Sequence, residues 1–218
     1  MYCARLFVTL QGKKLREIML YAIAHFLRDK MPCLWDLVDV INSCFFSLRY
    51  GRKLKDIEEI VIKKYNEVMG YKICRMREVD ASMIADFFAK QPEEAFTYFK
   101  PHGFDVKSIR KLQRNKSFLA YLLIDKEKDD IVSYCFNRSF FHGKGFRGRM
   151  VDADFRGKGL GTAMNRLLND VAFGIGLRLF ETVSKDNLAS YRSAMSASNV
   201  RVLKELENND LFLEIVQP

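Results

Sequence analysis

Apolar side chains fall at Leu160, Met164, Leu167, Leu168 and Val171, spaced i, i+4, i+7, i+8 and i+11, which is one face of a helix. The segment just before, 149–155, has the composition of a strand. Between the two lie three glycines at alternate positions, Gly157, Gly159 and Gly161. From residue 71 onward such switches of period recur. Strands are predicted at 72–76, 117–124, 131–136 and 177–183, and helices at 80–89 (capped by Asp80 or Ser82) and 187–197. Residues 96–114 read as short helix and loop, and 125–130 as a polar turn. Strands at 200–206 and 211–216 close the chain as a hairpin around Asn208 and Asn209. The resulting order, β-α-α-β-β-β-α-β-α-β-β, belongs to the α/β (α+β) class.

Residues 1–70 carry a different pattern, predominantly helical. Leu15, Met19, Ala22, Ile23 and Phe26 share one face over 14–29. A second helix is predicted over 32–46, with Pro32 near its start, and a third over 53–68, with Ile57, Ile60, Val61 and Tyr65 aligned. Gly51 and Gly70 are read as breaks. The expected organisation is a helical N-terminal region, 1–70, followed by a second domain, 71–218. The apolar stripes of 1–70 point to packing within the protein or to docking of a partner, a second subunit or a membrane surface.

Composition narrows the classes. Of 218 residues, 49% are hydrophobic, enough for a substantial core, and the net charge is +9. The five cysteines are scattered, odd in number and free of C-x-x-C spacing, which points to a cytoplasmic location and away from a disulfide frame or a zinc site. His25, His102 and His142 are too far apart to imply a metal site. No apolar run has transmembrane length. The basic balance suits a phosphate-rich ligand or a nucleic acid. The chain shows no helix-turn-helix signature and no basic readout helix, so no nucleic-acid partner is expected.

The glycine turn carries the chemistry. Its glycines leave backbone N–H groups uncovered at a helix N-terminus, with Arg156 and Lys158 beside them, and that is an anion site. A second motif, Gly143-x-Gly145-x-x-Gly148, spells a dinucleotide fingerprint. The sequel 149–155 reads as a strand where the fingerprint needs a helix. Residues 142–145 are therefore expected to form a hairpin turn, and no nicotinamide cofactor is expected.

Val151, Arg156, Gly159 and Gly161, in the order V-x-x-x-x-R-x-x-G-x-G, resemble the acyl-CoA loop of the GNAT N-acetyltransferases. The resemblance runs from about residue 71 to the C-terminus and leaves 1–70 unmatched. It implies a GNAT-like central mixed sheet of six to seven strands flanked by helices, with an N-terminal helical extension. It implies acetyl-CoA as cosubstrate, with no metal. Met150 and Val151 would offer main-chain groups to the pantetheine arm, and Arg156, Gly157, Lys158, Gly159, Leu160, Gly161 and Thr162 would hold the pyrophosphate. Asn187 and Ser190 match the family's N-x-x-A/S helix. Many members place a thiolate-protonating tyrosine seven residues after that asparagine. Here the position is Ala194, and Tyr191, three residues earlier, is the candidate acid.

An attacking alkylamine must shed a proton, so a base is needed. His102, in a loop bracketed by Pro101 and Gly103, titrates in the right range. Glu181, a carboxylate in an apolar strand, and Asp152 are the other candidates. Lys100, Lys107, Arg110 and Lys111 favour a small, anionic acceptor such as an amino sugar. The implied reaction is transfer of an acetyl group to a primary amine. The alternatives are a CoA-binding protein without catalysis, and a protein or peptide N-acetyltransferase.

Overall fold

The computed structural model describes residues 32–206 and 209–217. The helix expected at 14–29 and the turn residue Asn208 lie outside the described residues. Residues 42–218 form one compact unit.

One helix, α1 (Pro32–Met69), runs where two were expected. A glycine in a helix interior costs only about 1 kcal/mol, and Gly51 meets nothing closer than Ser47 Oγ at 3.5 Å from where a Cβ would sit. That cost is outweighed by the stripe Phe46, Tyr50, Leu54, Val61 and Tyr65, all buried. Ile60, placed in the stripe from sequence, is 65% exposed. Glu58 on the same helix is buried and accepts from Arg75 Nε at 2.8 Å and from the Tyr121 hydroxyl at 2.7 Å.

The remaining elements follow the expected order. They are β1 (Lys72–Arg75), α2 (Ala81–Ala89), α3 (Val106–Arg114), β2 (Phe118–Ile124), β3 (Ile131–Phe140), β4 (Lys144–Val151), α4 (Leu160–Gly174), β5 (Arg178–Ser184), α5 (Leu188–Ala197), β6 (Asn199–Glu205) and β7 (Asp210–Val216). Asp80 caps α2 by accepting from the Ser82 N–H at 2.7 Å, and Asp105 caps α3 through Ser108. The hairpin between β3 and β4 sits where the false dinucleotide motif begins, with Phe140 opposite Lys144.

Seven strands form one mixed sheet in the order β1-β2-β3-β4-β5-β7-β6. Every neighbouring pair is antiparallel except β4 and β5. Helices cover both faces, and all seven residues of β2 are buried. On one face α1 and α4 pack over Leu119, Tyr121, Leu179 and Ile215. On the other, α2 and α3 pack over Leu122, Tyr134, Phe136 and Met150.

Candidate active site

The parallel contact between β4 and β5 is short. Lys144, Gly145 and Phe146 pair with Arg178, Leu179 and Phe180, and there the pairing stops. Beyond it β4 continues to Val151 bonded only to β3, and β5 continues to Ser184 bonded only to β7. The strands part. One edge of β4 is left without a strand partner as far as Val151; alternate N–H and C=O groups, those of Val151 among them, face the opening, while Met150 O accepts from Ser133 Oγ of β3 at 2.9 Å.

At the end of β4 the chain makes a 3-10 turn, Ala153–Phe155, and enters the glycine loop. Gly157 and Gly159 both have φ near +77°, a region that side chains disfavour. Neither would bring a Cβ within 4 Å of another atom, so the loop is open on that side. Gly159 is the N-cap of α4 and supplies no side-chain cap. The first N–H to bond back along the helix is that of Ala163, to Gly159 O at 3.1 Å. Those of Leu160, Gly161 and Thr162 precede the ladder. They sit at the positive end of the helix dipole, beside the exposed Arg156 and Lys158. Lys158 Nζ lies 4.5 Å from the Phe155 ring centroid, and Arg156 Nε donates to Val151 O at 3.4 Å. Uncovered donors, open space and two cations fit a pyrophosphate.

The opening between the strands is closed on the α4 side by a polar cluster. Arg147 and Arg149 alternate on β4 and so point the same way. Arg147 Nε donates to Glu181 Oε2 at 2.7 Å, and Arg149 Nη1 to Glu181 Oε1 at 2.8 Å. The side chains are 0%, 7% and 4% exposed respectively. Burial by itself would raise the Glu181 pKa; the two arginines overcome it and hold the carboxyl below its ordinary value. Arg147 also reaches Asn169 on α4, and Arg149 reaches the carbonyl and hydroxyl of Ser190 on α5 at 2.9 and 3.1 Å. Gly161 is the point of closest approach: a Cβ there would lie 3.3 Å from Ser193 Oγ and 3.6 Å from Arg149 Nε. The N-terminus of α4, α5 and the parted strands therefore meet in one place.

The expected site residues divide accordingly. Met150, Val151, the loop 156–162 and Asn187 are brought to the parting and its outer end. Asn187 is the N-cap of α5, its side chain accepting from the Ser190 N–H at 3.1 Å. Tyr191 is half-buried in the first turn of that helix, next to Ser190, and Ala194 is fully buried. Glu181 spends both oxygens on arginines and has the geometry of a strand clamp. Arg178, three residues earlier on β5, is engaged elsewhere, with Glu214 at 2.6 Å.

His102 lies on the other face of the sheet, among Phe88, Phe104, Phe118 and Phe136. Its Nδ1 is 2.8 Å from Gly103 O, which can only accept, so that nitrogen carries the proton. Nε2 then accepts from the Tyr134 hydroxyl at 2.8 Å. Burial pulls its pKa down to about 4, so the ring is neutral at pH 7 and a weak base. Tyr134 pairs with Met150 across β3 and β4, which puts His102 one strand away from the parting. Lys100, Lys107, Arg110 and Lys111 are all exposed.

Sequence reasoning did not reach Arg147 and Arg149. Their i, i+2 spacing in a strand, opposite an acid in an apolar strand, was the available signal. It also missed Gln91, which is 7% exposed and donates to Asp152 Oδ2 at 2.7 Å. Among the described residues no group of three His, Cys, Asp or Glu could hold a metal ion, and no helix is long and apolar enough to cross a membrane.

The fold has counterparts. The family model of the Acetyltransferase (GNAT) family matches residues 76–194. Among solved structures, the GNAT domain of S. lividans PAT superposes with a TM-score of 0.57 at 14% identity, covering 66% of this chain and 89% of that one. The ribosomal-protein-S5-alanine acetyltransferase from Vibrio fischeri gives 0.53 at 14% identity, covering 66% and 91%. AAC(6')-Ib, solved with paromomycin and acetyl-CoA, gives 0.51 at 14% identity, covering 68% and 94%. No curated protein matches the chain. At these identities the superpositions establish a shared fold.

Proposed function

The chain belongs to the GNAT acetyltransferase family, and from that premise we propose that it transfers the acetyl group of acetyl-CoA to a primary amine of a small acceptor. The observation that carries the reading is the parting of β4 and β5 beyond Phe146, with the uncapped α4 N-terminus at its outer end. A thioester bound along β4 supplies the activated acetyl group. The free edge of β4 offers hydrogen bonds to an amide-bearing arm. The N–H groups of Leu160, Gly161 and Thr162, with Arg156 and Lys158, take the pyrophosphate. Asn187 shapes the start of α5, and Tyr191 is the proposed donor to the departing thiolate. AAC(6')-Ib, crystallised with acetyl-CoA and with paromomycin, supports both the cosubstrate and a small amine as acceptor. All these groups fall within 71–218, which we take as the acetyltransferase region, with 1–70 outside the site. The scattered, odd cysteines support a reducing compartment such as the cytoplasm.

The test is ligand-dependent stabilisation. Acetyl-CoA at 100 times its Kd contributes about 2.7 kcal/mol to the native state, or roughly 5–10 °C in Tm for a chain of this size. Gly159→Asp puts a carboxylate at the uncapped helix end and a side chain at φ near +77°, and it should abolish the shift. A Gly159→Asp protein that is folded and still stabilised by acetyl-CoA as the parent is would overturn the loop assignment.

A further inference from the structure

The side of α1 turned away from the sheet carries an apolar stripe that nothing in the fold covers. The stripe that α1 buries runs through Phe46, Tyr50 and Leu54. Opposite it stand Val38, Ile41, Phe45 and Leu48, whose spacing puts them on one face. All four are exposed, Phe45 by 54% and Leu48 by 83%. The tip of the β3–β4 hairpin extends this surface. The exposed Phe141 ring lies 5.6 Å from that of Phe45, centroid to centroid, and its carbonyl accepts from Arg49 Nη1 at 3.0 Å. A contiguous exposed apolar patch of this kind marks an interaction surface.

The charge beside it is of one sign. Arg49 follows Phe45 by one helical turn, and Arg52 and Lys55 follow Leu48 by one turn and two, so the outward face continues as cations. All three are exposed, as are Lys53 on the flank and Lys144 at the start of β4. No Asp or Glu falls between Asp39 and Asp56. Asp36 and Asp39 each stand two turns before a buried residue, Ser43 and Phe46, and so belong to the inward side. A second copy of this face would therefore bring no carboxylate to Arg49, Arg52 and Lys55. An anionic bilayer offers those cations phosphates and carboxylates, and it offers the apolar stripe an acyl boundary. The apolar stretch 37–48 is about 18 Å long at 1.5 Å per residue, a length that lies along a bilayer and does not cross it. The net charge of +9 draws the chain toward such a surface.

We propose that this face docks the protein on an anionic lipid bilayer. Phe45, Leu48 and Phe141 enter the boundary between headgroups and acyl chains, and Arg49, Arg52 and Lys55 meet the lipid headgroups. The inference goes beyond the acetyl-transfer reading and does not depend on it.

Co-sedimentation of the full chain with vesicles of phosphatidylcholine, with and without phosphatidylserine, tests this. The parent should bind the vesicles that contain phosphatidylserine, and binding should weaken as salt rises. Each cation near such a surface is worth roughly fivefold in partitioning, so Arg52→Glu with Lys55→Glu should weaken binding by about tenfold or more. Leu48→Glu should weaken it by about tenfold as well, since it puts a carboxylate where the stripe enters. These positions are exposed, so Tm should hold. Leu48→Trp adds a reporter to a chain whose one tryptophan is Trp35, and its added emission should move to shorter wavelength on binding. A parent that does not bind phosphatidylserine vesicles at low salt overturns the proposal. So does binding by the charge variant and Leu48→Glu equal to that of the parent, or a Leu48→Trp emission that the vesicles leave unchanged. A parent that sediments as a dimer without lipid, with Leu48→Glu monomeric, gives the face to a second copy and overturns it too.

Discussion

Glu181→Gln separates a structural from a catalytic carboxylate at the parting of β4 and β5. In the native protein Glu181 neutralises Arg147 and Arg149, and all three side chains are at most 7% exposed. Glutamine keeps the shape and removes the charge. It offers one acceptor oxygen where there were two, and its NH₂ faces one of the guanidinium groups. Two buried cations are then left without an anion, and Arg147 already has one buried nitrogen, Nη2, with no partner among the described residues. Removing one partner of a buried ion pair costs about 3–5 kcal/mol. For a chain of this length each kcal/mol is worth roughly 2–4 °C, so Tm should fall by roughly 6–20 °C. Scanning calorimetry at pH 7 measures it. Arg149→Met added to Glu181→Gln should recover part of the loss, because it removes a charge that has lost its counterpart. If Glu181 were the base for the acceptor amine, Glu181→Gln would leave Tm within about 2 °C and lower kcat by about 10²–10⁴-fold. That result would refute the clamp.

Three further outcomes are expected. His102 has its folded pKa depressed to about 4 by burial, against an ordinary value of about 6.5. Its contribution to stability is therefore complete above pH 6.5 and is lost as pH falls toward 4, amounting to about 2 kcal/mol between pH 7 and 5. Urea unfolding of the parent should show that slope, His102→Gln should lack it, and identical slopes would remove His102 from the account. Tyr191→Phe should lower kcat while acetyl-CoA affinity holds, since only the hydroxyl is lost; an unchanged kcat makes Tyr191 a packing residue. A chain beginning at residue 71 should lose its cooperative melt, because it lacks Phe46, Tyr50, Leu54, Val61 and Tyr65 from the core and leaves Arg75 and Tyr121 without Glu58; a sharp transition near the parent Tm would show α1 to be dispensable.

What could be read in the sequence was whatever depends on near neighbours. The strand, glycine loop and helix over 149–171 were legible because backbone freedom, apolar spacing and an uncapped helix start all act within a few residues. Asp80 as a cap was legible for the same reason. Gly51 misled because its propensity is local, while the burial that overrides it comes from strands and helices far along the chain. Glu181 stood out as an acid in an apolar strand, but Arg178 was the nearer cation in sequence. The partners that neutralise it sit on β4, brought there by a parallel pairing that no local pattern specifies.

Three residue pairs join β4 to β5 and divide the sheet into two sets of strands. On one side β1 to β4 are held by long antiparallel pairings, and on the other β5, β7 and β6 are held likewise. Between the strands themselves the seam holds little beyond Lys144 to Phe146 and the Arg–Glu clamp, while α4 packs over strands on both sides of it. On the proposed reading, a ligand lying along β4 would take the place of the missing strand, and its hydrogen bonds would be tertiary bonds the protein does not make for itself. Hydrogen exchange should record this as slowed amides across residues 147–151 when acetyl-CoA is bound, with β2 and β7 little changed because their protection is already set by their neighbours. On that reading the seam would make acetyl-CoA a removable piece of the fold's own cross-bracing.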